Sequence, residues 1–297
     1  MKKSLFISMR VAVFAIVMSV ASTAGAYDFQ VGDVYFNRTG DATVCVTYGP
    51  SAYNTYKGDI FIPSTVENAG VNYTVTSIGD WAFMYCVKLT SVQLPSTLVA
   101  IGVNAFNSCT QLESIVLPEG LETISDDAFY FCSKISSITI PNSVKRISDE
   151  AFFNCSGLFS VVIGKGVTSI GSDAFGCDGY SSLSSVTCLA TTPPVMDASD
   201  CFFTTTYNMG TLYVPAASVN AYSTTNWWNK FSSIVGLNIS VPGDVNGDGV
   251  VNIEDVTQLI DCLLTGIAAA GDADCNGDGK VSIDDVTTLI DMLLNGN

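Results

Sequence analysis

Between residues 78 and 175 the apolar positions of this 297-residue chain return every 23 residues. Ile78, Ile101, Ile124, Ile147 and Ile170 form one row, and the pairs Ala82-Phe83, Ala105-Phe106, Ala128-Phe129, Ala151-Phe152 and Ala174-Phe175 form a second. Leu89, Leu112, Ile135 and Leu158 follow, then Val92, Ile115, Ile138 and Val161, then Leu94, Leu117, Ile140 and Ile163. Spacing such as Leu89-x-x-Val92-x-Leu94 predicts one short strand per unit, near residues 90–94 and their equivalents. Parallel neighbours would stack about 4.8 Å apart. Pro95, Pro118 and Pro141 cannot continue a central strand. The chain is then expected to return through one helical turn. Its start carries Ser125 with Asp126-Asp127, or Ser148 with Asp149-Glu150, whose oxygens would meet free N–H groups. No unit buries its rows alone, so the fold class is an α/β repeat, a solenoid on a parallel β-sheet.

A different pattern closes the chain. Residues 244–255 read DVNGDGVVNIED and residues 274–285 read DCNGDGKVSIDD. A hard cation such as Ca²⁺ takes oxygens from positions 1, 3, 5, 7, 9 and 12 of a twelve-residue loop. Loop one offers Asp244, Asn246, Asp248, the Val250 carbonyl, Asn252 through water, and Asp255. Loop two offers Asp274, Asn276, Asp278, the Lys280 carbonyl, Ser282 and Asp285. Gly249 and Gly279 stand at position 6, where the chain turns sharply. After each loop the spacing predicts a helix, with Val256, Leu259, Ile260 and Leu263 repeated as Val286, Leu289, Ile290 and Leu293. No amphipathic helix enters loop one, and position 12 is Asp, one methylene shorter than the usual Glu. A small all-α calcium-binding domain is expected.

The repeated motif I-G-x-x-A-F-x-x-C-x-x-L-x-S-V-x-L-P resembles the BspA-like leucine-rich repeat family over residues 58–236. That resemblance implies a leucine-rich-repeat solenoid of a secreted or surface protein, used in adhesion and contact with a surface protein or glycan. The duplicated loop with only an exiting helix resembles the type I dockerin module over residues 242–297. This second resemblance implies two calcium ions and docking onto a cohesin-type protein partner. It also implies partner contacts at loop positions 10 and 11, here Ile253 and Glu254, and Ile283 and Asp284.

Composition narrows the function. Residues 1–26 read as a signal peptide, with Lys2, Lys3 and Arg10, an apolar run over 11–20, and the cleavage site Ala24-Gly25-Ala26. The run is shorter than the roughly twenty residues a membrane anchor needs, so no membrane insertion is expected. Removing that segment takes the formal net charge from −16 to −19, which disfavours nucleic acid as a partner. There is no His, which removes the histidine-based nucleophile pairs and metal sites. Residues 27–57 are read as an N-terminal cap, 58–177 as repeats and 178–236 as a C-terminal cap. A link over 237–243 then leads to the module at 244–297. A strand is expected at 211–214 and a helix from 218 to about 231.

Within the repeats, Cys86, Cys109, Cys132 and Cys155 read as a ladder of small buried side chains. Cys45, Cys177, Cys188, Cys201, Cys262 and Cys275 are candidates for disulfides after export. Adjacent carboxylates point apart, whereas a glycosidase pair faces across about 5–9.5 Å. No catalytic constellation is visible and no enzyme is expected. Two outward columns line the strands, Ser91, Ser114, Ser137, Ser160 and Ser185 beside Gln93, Val116, Thr139, Val162 and Thr187. Met84-Tyr85, Tyr130-Phe131 and Phe153 form a second surface candidate on the return segments. The reading is an exported binding protein attached through its C-terminal module. A subunit of a polysaccharide-degrading complex and a purely structural surface protein are the alternatives.

Overall fold

The structure, a computed structural model, describes residues 27–51, 54–197, 201–237, 243–246, 251–269 and 271–295. The expected signal peptide, and all of the 237–243 link except its end residues, lie outside them. The amino-terminal strands are β1 Phe29–Val31, β2 Val34–Arg38, β3 Thr43–Thr47, β4 Lys57–Phe61, β5 Thr65–Asn68 and β6 Val71–Ile78. Two interleaved ladders then alternate along the chain. One comprises β7 Lys88–Gln93, β9 Ser114–Ile115, β11 Ser137–Ile140, β13 Ser160–Ile163 and β15 Ser185–Cys188. The other comprises β8 Ala100–Ile101, β10 Thr123–Ile124, β12 Arg146–Ile147, β14 Ser169–Ile170 and β16 Val195–Met196. After them come α1 Thr204–Met209, β17 Thr211–Pro215, α2 Val219–Thr224 and β18 Ser233–Leu237.

The first ladder is the expected one. It divides into β4-β7-β9 and β11-β13-β15-β17-β18. Its register pairs Ser91 with Ser114, and Ser137 with Ser160 and then Ser185, so the outward serine column is real. Ser91 donates to Asp59 Oδ1 at 2.7 Å, which gives that hydroxyl a structural partner. The second ladder runs β3-β6-β8-β10-β12-β14-β16 and was not anticipated. It uses the Ile78 row, with Ile101, Ile124 and Ile147 in parallel register. Asp59 pairs with Ser91, 32 residues on instead of 23, and this longer first unit carries the β5–β6 hairpin, turned by Ala69 and Gly70 at positive φ.

The return segments contain turns and no helix, which corrects the expected helical turn. Trp81, Tyr85, Asn104, Ser108, Asp127, Phe131, Glu150, Asn154 and Asp173 all have positive φ, so a right-handed helix cannot propagate. Reversal of the backbone at these residues turns alternate N–H groups toward the next rung. Phe83 donates to the Ala105 carbonyl at 2.7 Å, Phe106 to Ala128 at 2.7 Å, and Phe129 to Ala151 at 2.8 Å. The carboxylates also act between rungs and cap no helix. Asp80 Oδ1 accepts from the Val103 N–H at 2.8 Å and Asp126 Oδ1 from Asp149 at 3.2 Å.

Behind the turns the phenylalanine row becomes a stack. Ring centroids step 4.8, 5.1, 5.1, 5.3 and 5.2 Å from Phe83 through Phe106, Phe129, Phe152 and Phe175 to Phe202. Each such pair contributes about 0.5–1.5 kcal/mol beyond its burial. Tyr56 closes one end, 4.3 Å from Phe83. Tyr207, Trp228 and Phe231 close the other, each within 6.0 Å of Phe202. The expected helix at 218–231 is broken into α2 and a 3₁₀ turn Trp228–Lys230, because Trp227 takes φ 72.

All ten cysteines stand as free thiols in the structure, and none of the six disulfide candidates is paired there. In the ladder, Cys109 donates to the Phe83 carbonyl at 3.1 Å, Cys132 to Phe106 at 3.1 Å and Cys155 to Phe129 at 3.2 Å. Burial pushes the Cys86 thiol up to about 11 and Cys155 to about 12. Such groups are spacers in a core, not nucleophiles.

Candidate metal centre and docking faces

A separate small core holds the C-terminal segment together, built from Val245, Val256, Leu259, Ala273, Cys275, Val286 and Leu289. Both predicted helices are present, α3 Ile253–Thr265 and α4 Ile283–Asn295. Asn252 caps α3, its side chain accepting from Glu254 at 2.6 Å while Asp255 Oδ2 accepts from the Asn252 N–H at 2.8 Å. This reciprocal pair satisfies donors that a bare helix end would leave open. Ser282 and Asp285 repeat it at α4, with Ser282 N–H to Asp285 Oδ2 at 2.7 Å.

Among the described residues the two position-12 carboxylates are the most deeply buried charges of the module. Asp255 and Asp285 expose nothing to solvent and Asp244 only 2%. Asp255 Oδ1 accepts from Val245 and Asn246 at 2.9 and 3.0 Å, and Asp285 Oδ1 from Asn276 at 3.2 Å. Each therefore ties the entrance of its loop to the first turn of its helix. Loop two folds its backbone donors onto the ligand positions as well. Asp274 accepts from Asp278 and Gly279 at 3.1 and 2.8 Å, and Asp278 Oδ1 from Lys280 at 2.8 Å. Gly279 has φ 83 and Gly277 φ 72, conformations that a residue without Cβ adopts freely.

Of the expected ligands, Asp244, Asn246, Asn252 and Asp255 are brought to loop one, while Asp248 and Val250 lie outside the described residues. All six of loop two are described. Among the described residues neither buried position-12 carboxylate meets a Lys or Arg. N–H groups alone leave two buried negative charges without a counter-charge, an expensive arrangement. The donor types, carboxylates, amides and a hydroxyl, suit a hard divalent cation such as calcium, but among the described residues no three His, Cys, Asp or Glu side chains are gathered closely enough to hold a metal ion.

The helices also hold apolar side chains that their own core does not use. The predicted apolar rows split. Val256 and Leu259 are buried, and so are Val286 and Leu289, but Ile260 and Ile290 are 40% and 39% exposed. Ile253 and Ile283 are 68% and 67% exposed, and Leu264 and Leu294 80% and 78%. Thus Ile253, Ile260 and Leu264 line one outward stripe, and Ile283, Ile290 and Leu294 its duplicate. The expected contacts Ile253, Glu254, Ile283 and Asp284 all lie exposed at the head of these stripes. Sequence reasoning had not assigned Leu264 or Leu294. Their spacing of eleven from Ile253 and Ile283 places them on one helical face and was the available signal.

Comparison with known proteins agrees with both modules. A sequence model of the BspA type leucine rich repeat region matches six copies over residues 57–217, and one of the dockerin type I domain matches residues 242–294. No curated protein matches the chain. A T. pallidum leucine rich repeat protein is similar in structure at 23% identity, over 82% of this chain and 97% of that one, with a TM-score of 0.49. A leucine-rich repeat protein from Bacteroides ovatus is similar at 17% identity, over 71% and 77%, with a TM-score of 0.35. A leucine rich cell surface protein from Faecalibacterium prausnitzii is similar at 21% identity, over 64% and 70%, with a TM-score of 0.38. Dockerin type I domains generally bind calcium, and both matched modules are of non-catalytic kinds. Among the described residues no helix is long and apolar enough to cross a membrane. The chain belongs to the BspA type leucine rich repeat family and carries a dockerin type I domain at its C-terminal end.

Proposed function

We propose that this chain is an exported, non-catalytic attachment protein. Its repeats, capped by residues 27–57 and 178–236, present a recognition surface. Its C-terminal module, residues 244–297, plugs into a cohesin-type protein once two calcium ions are bound. The ions would be held by Asp244, Asn246, Asp248, the Val250 carbonyl, Asn252 and Asp255, and by Asp274, Asn276, Asp278, the Lys280 carbonyl, Ser282 and Asp285. Calcium supplies the positive charge that a segment with eleven acids and Lys280 alone lacks. Its binding energy then becomes folding energy for the two helices.

The observation that carries this reading is the matched exposure of Ile253, Ile260 and Leu264 with Ile283, Ile290 and Leu294. Apolar stripes of that kind, duplicated and rimmed by acids, are what an interface buries. Glu254, Asp261, Asp284 and Asp291 surround them, so the partner's rim is basic. Calorimetric titration of the full chain with purified cohesin modules tests this. Binding in calcium that vanishes with chelator and in the Ile253→Asp, Ile283→Asp double variant is expected. Cohesin binding that persists in chelator, or heat with none of the modules, contradicts it.

A further inference from the structure

The first ladder is interrupted at one place where the second is not. Four of its steps carry the same backbone bond: Glu113 donates to the Thr90 carbonyl at 3.2 Å, Phe159 to Ser136 at 2.8 Å, Ser184 to Phe159 at 3.0 Å and Thr211 to Ser184 at 2.9 Å. Ser136 holds that position in the step between Glu113 and Phe159, and among the described residues its N–H makes no such bond to Glu113. No residue of β9 stands in register with β11, so the sheet divides there into β4-β7-β9 and β11-β13-β15-β17-β18. β9 pairs with β7 over two residues only, whereas β11 pairs with β13 over four.

Elsewhere the same two rungs hold together. Ile101 pairs with Ile124, and Ile124 with Ile147, in parallel register. Phe106 and Phe129 stack at 5.1 Å with their planes 5° apart. The Phe106 N–H donates to Ala128 and the Ser108 N–H to Tyr130, each at 2.7 Å. The apolar rows stay packed too, with Leu112 and Ile135 fully buried. Ile115, at 7%, is still the most exposed of the row Val92, Ile115, Ile138, Val161 and Val186. One exposed ion pair crosses the gap, Lys134 Nζ to Glu113 Oε1 at 3.1 Å. Such a pair holds weakly and is screened by salt. In a repeat array each rung touches only its neighbours, so a contact weakened on one side of one interface divides the array at that interface.

We propose that this gap is a hinge. The blocks built on β4-β7-β9 and on β11-β13-β15-β17-β18 rotate about the second ladder and the phenylalanine stack, and β9 and β11 close and part as they do. A hinge needs a few residues at the ends of elements that absorb the motion while the bodies on either side stay packed. The segments around Ser114–Ile115 and Ser136 meet that need, being free of ladder bonds to each other. The outward column divides at the same place, with Phe61, Gln93 and Val116 on one block and Thr139, Val162 and Thr187 on the other. Closure changes the angle between these two halves, so the strand face fits itself to the curvature of what it meets. That use rests on the recognition role proposed for the repeats; the motion itself does not, and it stands apart from the calcium reading.

Amide hydrogen exchange of the full chain in constant calcium, resolved by residue with NMR, tests the gap. Ser136 is expected to exchange at least about a hundredfold faster than its equivalents Phe159 and Ser184. Gly102, Ser125 and Ser148, which donate to the second ladder, are expected to stay protected. Cross-linking tests the motion, since a disulfide forms only when Cα atoms come within about 7 Å. With glutathione disulfide as oxidant, Ser114→Cys with Ser137→Cys is expected to link more slowly than Ser137→Cys with Ser160→Cys, whose positions are in register. Once linked, the 114–137 pair is expected to slow Ser136 exchange at least about tenfold. Ser136 as protected as Phe159, or equal linking rates for the two pairs, means a continuous ladder. A 114–137 pair that never links means a fixed gap, and Ser125 exchanging as fast as Ser136 means a full break. Each of these results overturns the proposal.

Discussion

Asp255 Oδ1 accepts the backbone N–H of Val245 at 2.9 Å, tying the entrance of the first loop to the first turn of the helix that leaves it. The carboxylate is fully buried, and its other oxygen caps the same helix through Asn252. One side chain therefore joins loop closure, helix initiation and a buried carboxylate. Asp285 repeats the device thirty residues later.

Replacing Asp255 and Asp285 together by Ala removes two buried acceptors and leaves their N–H donors unpaired, at about 1–3 kcal/mol for each orphaned group. Calcium affinity is expected to fall about tenfold or more per loop. Far-ultraviolet circular dichroism is expected to lose the α3 and α4 signal, while the solenoid's melting transition stays. Asp284→Ala, an exposed neighbour, is the control and is expected to bind calcium like the parent.

Thiol labelling separates the two cores. Cys262 and Cys275 are buried in the module, at 7% and 6% exposure, whereas the ladder thiols belong to the solenoid. Adding chelator is expected to open Cys262 and Cys275 to a maleimide while Cys109 and Cys132 stay protected, as read by mass spectrometry. Joint labelling of all four would contradict independent modules.

Phe129 is fully buried between Phe106 and Phe152, at 5.1 Å from each. Phe129→Ala is expected to cost about 3–5 kcal/mol. At roughly 2–4 °C per kcal/mol for a body of this size, the solenoid transition falls by on the order of 10 °C. Calcium binding by the module is expected to be unchanged.

Burial raises the thiols of Cys86, Cys155 and Cys188 to about 11, 12 and 11. The folded state keeps protons that the unfolded state releases above about pH 9, so this contribution is complete below that value and lost as pH rises toward 11–12. Solenoid melting temperature is expected to be flat from pH 7 to 8.5 and to fall steeply above 9.5. Serine at Cys86 and Cys188 is expected to flatten the alkaline limb.

The 23-residue rows were readable because each apolar position has one destination, the stack or the ladder behind it. The second ladder was not, since strands such as Thr123–Ile124 span two residues and cannot show a period of two. The turns read as helix because Ser125 with Asp126-Asp127, and Ser148 with Asp149-Glu150, are the residue types of a helix start. Only the positive φ of Asp127 and Phe131, a property of backbone packing between rungs, distinguishes the two. The duplicated loop-and-helix module was readable, because its residue types recur at set spacings and each loop runs into an apolar-striped helix. The exposed apolar stripes were half readable, because Val256 and Ile260 look alike in sequence until the core selects one of them.

The most direct measurement is a calorimetric titration of calcium-depleted full-length chain with calcium chloride, followed in parallel by circular dichroism. Two equivalents of calcium per chain, taken up with a gain of helix, are the predicted result. No uptake at millimolar calcium, or uptake with helix content already complete before the first addition, would contradict it.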